Sequence, residues 1–507
     1  MSNSDKDQVL IAGAGPGGLL LACELALAGV PCTVLERRTT PSVQSRATGL
    51  QARTLELLAM RGMAGDFMRA GHPHDHYRIT VGRARIDLTQ LDTEYQQLGI
   101  CRQSVTEEIF ERHARSHGAR IERGVEVQAV SQTADGVTVR TSEGGTVRER
   151  RAGWLVGFDG SHSTVRTAAG IDFPGRSYPY NVMAGDVRLG RKPEDGMLVK
   201  VSKEGMVVAI DFGDGTWRMG AVDRRQPRDL DEPASLEELR DMITRVFGYD
   251  LHPYDPTYTA RFRFHNRHAT TYRKGRVLIG GDAAHVHPPL GAQGLNISCQ
   301  DALNLGWKLA AVIRHGAPDS ILDTYEQERR PIARRVLGAT GRAMHMMMTP
   351  APPLRLLRRL VVPTVTSLPV THRFLAGQIS NLSFAYPDGD RSGRGGLVGR
   401  RLPNTSVRHP GGEIRPLYDL FRSGRFVLLD QTGGAVPPVH QPWAKLVEAV
   451  EVELEGPPEL AAHDLILSRP DGYCAWAGSR EDAVGLGRAL ERWCGAPETP
   501  GVVALRT

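Results

Sequence analysis

The start of the chain alternates short apolar segments with one long helix-forming segment. Residues 8–12 form an apolar run typical of a buried strand, and residues 30–35 form a second run that is rich in β-branched side chains. Between them, residues 19–28 favour a helix, which Gly29 is expected to end. The pattern predicts a strand–helix–strand unit.

Strand patterns resume in the second hundred residues. Residues 120–140 predict a hairpin that turns at Asp135-Gly136. The segment WLVGFDG (154–160) is mostly apolar and runs into an Asp-Gly pair. It predicts a further strand that ends in a turn.

The middle of the chain changes from isolated strands to a sheet and then to helices. Residues 178–264 contain short strand patterns typical of an antiparallel sheet, with one helix pattern at 235–247. The segment RVLIGGDAAH (276–285) predicts a buried strand, and helices are expected at 295–314 and 321–348. An antiparallel sheet is therefore predicted as an insertion into a strand-and-helix fold.

The C-terminal part has its own pattern. After Pro387, a stretch rich in Gly, Arg and Asp (388–404) predicts a linker. The remaining hundred or so residues contain strand patterns and a final helix, which predict a small α/β unit. A length of 507 residues fits about three domains.

The glycines of the first unit carry the first chemical signal. Gly13, Gly15 and Gly18 form the spacing GxGxxG, and Glu36 follows the second strand. In such a unit the first glycine permits a tight turn, the second lets backbone N–H groups approach a pyrophosphate, and the third lets helix and strand pack closely. The stretch predicts a dinucleotide site, and it does not discriminate between NAD and FAD.

Composition narrows the classes of partner and compartment. The net charge is +6, but basic and acidic residues are interspersed, so no nucleic-acid partner is expected. The N-terminus has no signal-peptide core, and no apolar run reaches the ~20 residues of a membrane span. Six cysteines form no CxxC pair, and Cys23 and Cys32 are expected to be small buried hydrophobes. A cytoplasmic protein without a membrane partner is predicted.

Three further stretches, added to the glycine motif, resemble one known family. They are SRATGLQARTLELLAMRG (45–62), LVGFDGSHSTVR (155–166) and GRVLIGGDAAHVHPPLGAQGLNISCQDALNLGWKLA (275–310). They are similar to the FAD-dependent aromatic hydroxylases, the single-component flavoprotein monooxygenases related to p-hydroxybenzoate hydroxylase. Within that family they resemble the aromatic polyketide hydroxylases of antibiotic pathways.

The resemblance implies a fold and a division into domains. The fold is α/β, a Rossmann-like FAD-binding fold with an inserted antiparallel-sheet substrate domain and a thioredoxin-like C-terminal domain without redox cysteines. The implied domains are FAD-binding (1–72, 99–178 and 266–390), substrate-binding (73–98 and 179–265) and thioredoxin-like (391–507).

The resemblance also implies cofactor-binding residues. Gly13, Gly15 and Gly18 would contact the FAD pyrophosphate, Glu36 the adenosine ribose, and Arg37 the adenosine end. Arg46 and Gln103 would lie beside the cofactor, and the backbone of Val127 would meet the adenine. Asp282 would bind the ribityl or pyrophosphate portion. The segment 289–296, with Pro289, Gly291, Gly294, Leu295 and Asn296, would border the isoalloxazine ring.

The PPLGAQG loop has physical features that suit this role. Two prolines stiffen it, glycines open it, and it leads into a predicted helix. Backbone N–H groups at a helix entry favour negative charge, such as the charge on the N1–C2=O edge of reduced flavin. The family usually has two glycines in this loop, and here Ala292 stands in the place of the second. We expect the extra methyl group to alter the freedom of the flavin to move.

Several other residues invite a chemical role. His72, His74 and His76 could be metal ligands on one strand face, but we expect an exposed strand and no metal site. Asp159 and Arg166 are expected to form a structural pair that supports the cofactor loop, with Asp159 as a possible nicotinamide-nucleotide contact.

The remaining candidates are weaker. His285 and His287 have acid–base side chains, but in this family the cofactor carries most of the chemistry, and no catalytic residue is assigned. Four methionines near the end of a predicted helix are expected to fill the core rather than to line a substrate entrance: Met344, Met346, Met347 and Met348.

The implied reaction is hydroxylation of a large planar aromatic molecule. NAD(P)H would bind transiently and reduce FAD, and O2 would form a C4a-hydroperoxyflavin that transfers one oxygen atom. The described motifs GGDAAH and PPLGAQG argue against a simple NAD-dependent dehydrogenase, and the lack of WxWxIP argues against a halogenase. Baeyer–Villiger oxidation, oxidative inactivation of an aromatic antibiotic and a catalytically silent flavin-binding scaffold stay open, as do monomer and homodimer.

Overall fold

The computed structural model describes most of the chain. The described residues are 8–42, 47–79, 84–225, 232, 234–349, 351, 364, 368–386, 396–433 and 438–497. Within these residues, no helix has both the length and the apolarity that crossing a bilayer requires.

The elements are numbered along the chain. The helices are α1 (Pro16–Leu27), α2 (Ala52–Met60), α3 (Ala64–Ala70), α4 (Gln103–Ser116), α5 (Thr164–Ala168), α6 (Leu236–Phe247), α7 (Gln293–His315), α8 (Asp323–Met348), α9 (Pro369–Ile379), α10 (Pro458–Ala461) and α11 (Ala483–Cys494). The strands are β1 (Val9–Ala12), β2 (Cys32–Glu36), β3 (Gly49–Leu50), β4 (His72–His74), β5 (His76–Ile79), β6 (Ala84–Asp87), β7 (Leu98–Ile100), β8 (Arg120–Arg123), β9 (Val125–Gln132), β10 (Val137–Glu143), β11 (Thr146–Ala152), β12 (Trp154–Gly157), β13 (Gly175–Ser177), β14 (Asn181–Leu189), β15 (Met197–Val201), β16 (Gly205–Asp211), β17 (Thr216–Asp223), β18 (Pro253–Phe262), β19 (His265–His268), β20 (Arg273–Lys274), β21 (Val277–Ile279), β22 (His285–Val286), β23 (Ser406–Arg408), β24 (Ile414–Pro416), β25 (Phe426–Asp430), β26 (Val447–Glu451), β27 (Glu453–Glu455), β28 (Leu465–Ser468) and β29 (Cys474–Gly478).

The N-terminal strand–helix–strand unit lies at the centre of a six-stranded sheet. The strand order is β20-β21-β12-β1-β2-β8, and β1 pairs in parallel with both β2 and β12. All residues of β1 and β2 are buried, as is typical of central strands in a parallel sheet. The sequence prediction of this unit is confirmed, although α1 begins at Pro16 rather than at residue 19. Proline suits the first position of a helix because its missing N–H has no partner there.

The predicted hairpin and the long helices are also confirmed. β9 and β10 pair antiparallel across the turn at 135–136. α7 spans Gln293–His315, and α8 spans Asp323–Met348 after a short 3₁₀ turn at Asp319–Leu322. α7 packs so closely on α1 that a Cβ atom on Gly17 would clash with the Ser298 hydroxyl.

A seven-stranded sheet occupies the middle of the chain. Its order is β18-β14-β17-β16-β15-β5-β6, and all of its pairings are antiparallel except that of β15 with β5. α6 covers one face with Leu239, Met242 and Ile243. Residues 76–87 and 181–262 therefore build one sheet, although they are separated by about a hundred residues of other structure.

The C-terminal residues form a smaller α/β unit. Its four-stranded sheet has the order β26-β25-β28-β29, in which β25 and β26 are parallel and the other pairs are antiparallel. The apolar face of α11 is buried at Leu486 and Leu490. The pattern-based prediction of a small α/β unit after residue 404 is confirmed.

Candidate functional site

The turn between β1 and α1 is built so closely that two of its glycines leave no room for a side chain. Gly13 has φ = 101°, and a Cβ atom there would lie 2.5 Å from the carbonyl oxygen of Phe158. A Cβ atom on Gly18 would clash with the carbonyl oxygen of Gly13. These two glycines therefore perform the turn and packing roles that the motif predicts.

Gly15 differs from its neighbours in being open. It is the N-cap residue of α1, with φ = −77°, and a Cβ atom there would meet nothing within 4 Å. The N–H groups of the first turn of a helix have no intrahelical partners, and they attract anions. Gly15 thus borders an open space at the positive end of a helix, which suits a pyrophosphate.

Glu36 lies beside this turn at the end of β2. Its carboxylate accepts hydrogen bonds from the backbone N–H of Ala14 (2.8 Å) and from the backbone and side chain of Arg38 (both 2.9 Å). Burial would raise the pKa of Glu36, but these hydrogen bonds lower it below its ordinary value. The carboxylate is ionised and fixed next to the glycine turn, where it can accept ribose hydroxyl groups. Arg37 is exposed.

Two other predicted residues flank the turn. Gln103 begins α4, accepts a hydrogen bond from the N–H of Ala47 (3.0 Å) and donates one to Glu107 (2.8 Å). Val127 is buried in β9, which follows β8 at the edge of the central sheet. Arg46 lies outside the described residues.

Asp159 and Arg166 are not joined by a direct salt bridge, although the charge of Asp159 attracts the Arg166 guanidinium; the expected structural pair is one of neighbours rather than of contacting groups. Arg166 donates instead to the carbonyl oxygens of Ala283 (2.9 Å) and Ser161 (3.0 Å). Asp159 accepts from the backbone N–H of Val165 (3.0 Å), and burial raises the pKa of this carboxyl group. Both side chains still brace the cofactor loops, but each does so through backbone atoms.

The Gly-Asp segment comes close to the glycine turn through Phe158. Cβ atoms placed on Gly13, Gly17, Gly280 or Gly281 would each lie within about 3.2 Å of an atom of Phe158. Asp282 lies in this segment and is exposed. The three motifs that are distant in sequence therefore meet around one phenyl ring.

A buried carboxylate holds the Gly-Asp segment in place. Asp301 of α7 accepts hydrogen bonds from the backbone N–H of Gly281 (3.2 Å), from His285 (2.7 Å) and from Arg329 (2.7 Å). Burial would raise the pKa of Asp301, but attraction to His285 and Arg329 lowers it. His285 is thus a fixed structural partner of Asp301.

The 287–296 segment turns sharply before α7. Gly291 has φ = 75° and Ala292 has φ = 54°, so both residues are in the left-handed region. Ala292 pays a steric cost there that glycine would not have. This explains in physical terms why a second glycine suits this position.

Three buried amide side chains fix the same segment. Gln51 and Gln293 donate to the carbonyl oxygen of Gly291 (2.6 and 3.3 Å), and Asn296 donates to that of Ala292 (2.6 Å). Asn296 also donates to the carbonyl oxygen of Gly49 (2.8 Å) and accepts from the backbone N–H of Gln51 (2.7 Å). The carbonyl groups are thereby bound to protein, and the N–H groups of the first turn of α7 remain for a ligand.

Sequence reasoning missed two of these amides. Gln51 lies within the stretch 45–62 that resembles the family, and Gln293 lies between predicted site residues. Neither was singled out, because a glutamine that binds a loop carbonyl has no distinctive spacing. Asn296 was predicted to border the flavin, and its fully buried side chain acts on the backbone of the segment.

Comparison with known proteins identifies what this geometry serves. Residues 6–340 match the model of the FAD binding domain family, and residues 395–497 match that of the aromatic-ring hydroxylase C-terminal family. The chain belongs to the FAD-dependent aromatic-ring hydroxylases. It is accordingly an FAD-dependent monooxygenase.

Its relatives match over nearly their whole length. The chain is 38% identical to a 12-dehydrotetracycline 5-monooxygenase/anhydrotetracycline 6-monooxygenase of Streptomyces rimosus, over 96% of this chain and 99% of the relative. It is 36% identical to a rifampicin monooxygenase of Streptomyces venezuelae, with coverages of 96% and 98%. The structure of the anhydrotetracycline hydroxylase OxyS from Streptomyces rimosus superposes with a TM-score of 0.86 at 37% identity, covering 97% of this chain and 99% of that one.

The residues present fit the FAD that such a hydroxylase requires. Gly15 leaves space at a helix N-terminus, Glu36 presents an ionised carboxylate, and Asp282 presents an exposed one. The first turn of α7 also offers backbone N–H groups. These features match a pyrophosphate, a ribose, a polyol chain and a flavin edge in turn.

An apolar cluster adjoins the 287–296 segment of this hydroxylase. Leu290 packs against residues of the large sheet and of the end of α8. The buried members of this cluster are Tyr178, Val182, Met206, Val222, Phe264, Met344, Met347 and Met348, and Tyr180 and Phe262 are partly buried. Three of the four methionines are therefore core residues as expected, and the aromatic rings give the cluster flat surfaces.

His287 lies at the start of the 287–296 segment. Its Nδ1 atom is 2.8 Å from the carbonyl oxygen of Pro288, so Nδ1 carries the proton in the neutral ring. Nε2 is buried without a hydrogen-bond partner, and a Cβ atom on Gly294 would lie 3.8 Å from it. Burial lowers the pKa of His287 to about 4. The ring is neutral at physiological pH, with an acceptor facing the first turn of α7.

The histidines at 72–76 correct another expectation. His74 is buried, and its Nε2 donates a hydrogen bond to the backbone carbonyl oxygen of Asp211 (3.1 Å), so the strand is not simply exposed. His76 is paired with Asp75 and Asp195 instead of sharing a face with the others. Among the described residues, no group of three or more His, Cys, Asp or Glu side chains is arranged to hold a metal ion.

Proposed function

We propose that this monooxygenase uses FAD and NAD(P)H to hydroxylate a large planar aromatic molecule of the polyketide type. The observation that carries the proposal is the apolar, aromatic cluster that includes Leu290 of the flavin segment. A flat ring bound between the sheet and this segment would lie beside the flavin. The named substrates of the tetracycline and rifampicin relatives are large polycyclic molecules, which supports the same substrate class.

The chain's own residues would bind, orient and exclude water. The glycine turn and Glu36 would hold the adenosine diphosphate part, Asp282 the ribityl chain, and the first turn of α7 the N1–C2=O edge. Bound FAD would supply the redox chemistry, which is to accept a hydride from NAD(P)H and to activate O2. Tyr178, Phe262 and Phe264 would keep the oxygen-transfer space apolar, because water promotes loss of the activated oxygen as H2O2.

The neutral imidazole of His287 suits a supporting role. Its bare Nε2 can accept a hydrogen bond from a phenolic hydroxyl or from the flavin, once a ligand reaches the first turn of α7. Such an acceptor would orient a phenol without adding charge to an apolar chamber.

Finer parts of the proposal concern architecture. We propose the domain division given above, because residues 76–87 and 181–262 share one sheet. The order β26-β25-β28-β29 supports a thioredoxin-like C-terminal unit. We further propose a cytoplasmic monomer or homodimer, which size-exclusion chromatography with light scattering distinguishes.

Purified protein tests the function directly. The holoenzyme should be yellow, lose its 450 nm absorbance with NADH or NADPH in the absence of O2, and regain it in air. A panel of polycyclic phenols and quinones, analysed by mass spectrometry, should yield a product heavier by one oxygen atom. Absence of bleaching with either nucleotide, with and without the aromatic panel, would favour a silent scaffold.

Product structure separates the remaining alternatives. Nuclear magnetic resonance of the product distinguishes a new phenol from the ester or lactone of a Baeyer–Villiger oxidation. Growth inhibition by the product compared with its parent compound separates biosynthetic tailoring from antibiotic inactivation. A rifamycin should be included in the panel, because one relative is named for it.

A further inference from the structure

Among the contacts between the C-terminal unit and the N-terminal part, those of one turn, residues 469–472 between β28 and β29, reach both α2 and α7. Gly472 has φ = 73°, and a Cβ atom there would clash with Met60 at the end of α2. The backbone of the turn is closed by a hydrogen bond from the N–H of Gly472 to the carbonyl oxygen of Arg469 (2.9 Å). The turn thus packs against the end of α2 so closely that no side chain fits at Gly472.

The charged side chains of the 469–472 turn are buried in a neutral network. Arg469 donates two hydrogen bonds to Glu328 of α8 (2.6 and 3.0 Å) and two to Asp471 (2.6 and 3.0 Å). Lys308 of α7 also donates to Glu328 (2.8 Å). These four charged residues are at most 3% exposed, and their charges cancel.

The same turn holds α7 through Asp471. Its carboxylate accepts from Trp307 Nε1 (3.2 Å) and from Asn304 Nδ2 (3.3 Å). Both residues lie on the helix whose first turn borders the flavin. A helix transmits a shift along its axis as a rigid rod, over about 17 Å for the eleven residue rises from Gln293 to Asn304.

A second and shorter path runs through α2. The backbone oxygen of Asp471 accepts a hydrogen bond from Arg53 Nη2 (2.7 Å). Arg53 lies two residues after Gln51, which donates to the carbonyl oxygen of Gly291 and whose N–H donates to Asn296. The turn therefore contacts both helices whose N-terminal ends meet at the 287–296 segment.

We propose that the 469–472 turn is a positioning element of the flavin site. By fixing α2 and α7, the C-terminal unit sets the place of the 287–296 segment, and loss of the turn's contacts weakens FAD binding. The proposal rests on the assignment of that segment to the flavin. Because coupling between two sites is reciprocal, FAD binding must also stabilise the turn.

Asp471→Asn is the principal test, because it keeps the shape and removes the acceptor charge for Trp307 and Arg469. The control is Asp186→Asn, which removes one charge from a buried pair with Arg218 in the large sheet, away from α2 and α7. FAD dissociation constants are measured by flavin fluorescence, and amide hydrogen exchange is followed in the 287–296 segment. We expect Asp471→Asn to raise the FAD dissociation constant at least tenfold and to speed exchange there, and Asp186→Asn to stay within twofold despite lowered thermal stability.

A measurement on the unaltered protein covers the case in which the variant fails to fold. Addition of FAD should slow exchange of the Gly472 and Cys474 amides at least threefold. The proposal is overturned if FAD protects the 287–296 segment and leaves these two amides unchanged, or if folded Asp471→Asn binds FAD within twofold of the unaltered protein. It is also overturned if Asp186→Asn weakens FAD as much as Asp471→Asn, because the effect would then be general destabilisation. Failure of the unaltered protein to protect the 287–296 segment would refute the flavin assignment instead.

Discussion

Replacement of Gly15 by alanine separates the fold from the function of the glycine turn. The residue has φ = −77°, which alanine adopts freely, and its Cβ atom would meet nothing within 4 Å. Alanine restricts the unfolded chain, which stabilises by about 0.4–1 kcal/mol, and it is a poorer N-cap than glycine by a comparable amount. The free energy of unfolding of the FAD-free protein should therefore change by less than about 1 kcal/mol.

FAD binding should respond differently. The methyl group would project into the space at the N-terminus of α1, where we place the pyrophosphate. Intrusion of one methyl group into a filled site costs about 1–3 kcal/mol, which corresponds to an increase of about 5- to 150-fold in the dissociation constant. Urea unfolding of the FAD-free protein and titration of flavin fluorescence measure the two quantities separately.

Two matched variants complete the experiment. Gly411→Ala adds a methyl group at an equally open position in the C-terminal unit and should change neither quantity. Gly18→Ala should impair folding, because its Cβ atom clashes with the backbone of Gly13. If Gly15→Ala binds FAD within twofold of the unaltered protein, the pyrophosphate does not lie at the N-terminus of α1, and the placement is refuted.

Three further predictions concern stability, and urea unfolding checks each of them. Glu24→Ala should lower the free energy of unfolding by about 3–5 kcal/mol, because it leaves Arg61 buried without the carboxylate that now accepts two hydrogen bonds of 2.8 Å; a loss below 1 kcal/mol would contradict this. Ala292→Gly should raise it by up to about 1 kcal/mol, because relief of the left-handed strain exceeds the added entropy of the unfolded chain; a clear loss would show that the methyl group packs productively. Stability should fall as the pH drops from 6.5 to 4, since burial lowers the pKa of His287 from 6.5 to about 4 and protons then favour the unfolded chain. Stability should fall again from pH 4.5 to 2, because protons then favour the unfolded chain at Glu328. Burial alone would raise the pKa of Glu328, but attraction to Arg469 and Lys308 lowers it to about 2. The substitution His287→Phe should reduce the dependence of stability on pH between 6.5 and 4. An unchanged dependence would contradict the assignment of this titration to His287.

Local patterns allowed the core of the site to be predicted. The strand–helix–strand unit with Gly13, Gly18 and Glu36 is formed by 28 consecutive residues from the start of β1 to the end of β2, so short-range spacing carries its geometry. The Gly-Asp segment and the following loop were instead assigned through their resemblance to the family. Their meeting around Phe158 follows from the parallel pairing of β12 with β1 and β21, which brings the C-terminal ends of these strands to one edge.

The errors arose where a side chain binds a distant backbone atom. Arg166 was expected to pair with Asp159, but its guanidinium donates to the carbonyl oxygen of Ala283, 117 residues away. His74 was expected to be exposed, because the pairing of β4 with β7 and the contact with Asp211 have no signature in the local sequence. The contacts of Arg469 with Glu328 span 141 residues and could not be anticipated either.

These observations together assign different tasks to backbone and side chains. At the glycine turn and at the first turn of α7, the groups that face a ligand are N–H groups, whereas Gln51, Gln293, Asn296 and Asp301 point inward and hold the backbone. A backbone N–H has the same chemistry in every residue, so affinity for the flavin depends on where the buried amides and ion pairs place it. The proposed substrate cluster is instead made of side chains, and its shape can change without moving the N–H groups. The structure therefore predicts that substitutions at Phe262 or Phe264 change which aromatic molecule is oxidised, while substitutions at the inward-pointing residues change how tightly the flavin is held.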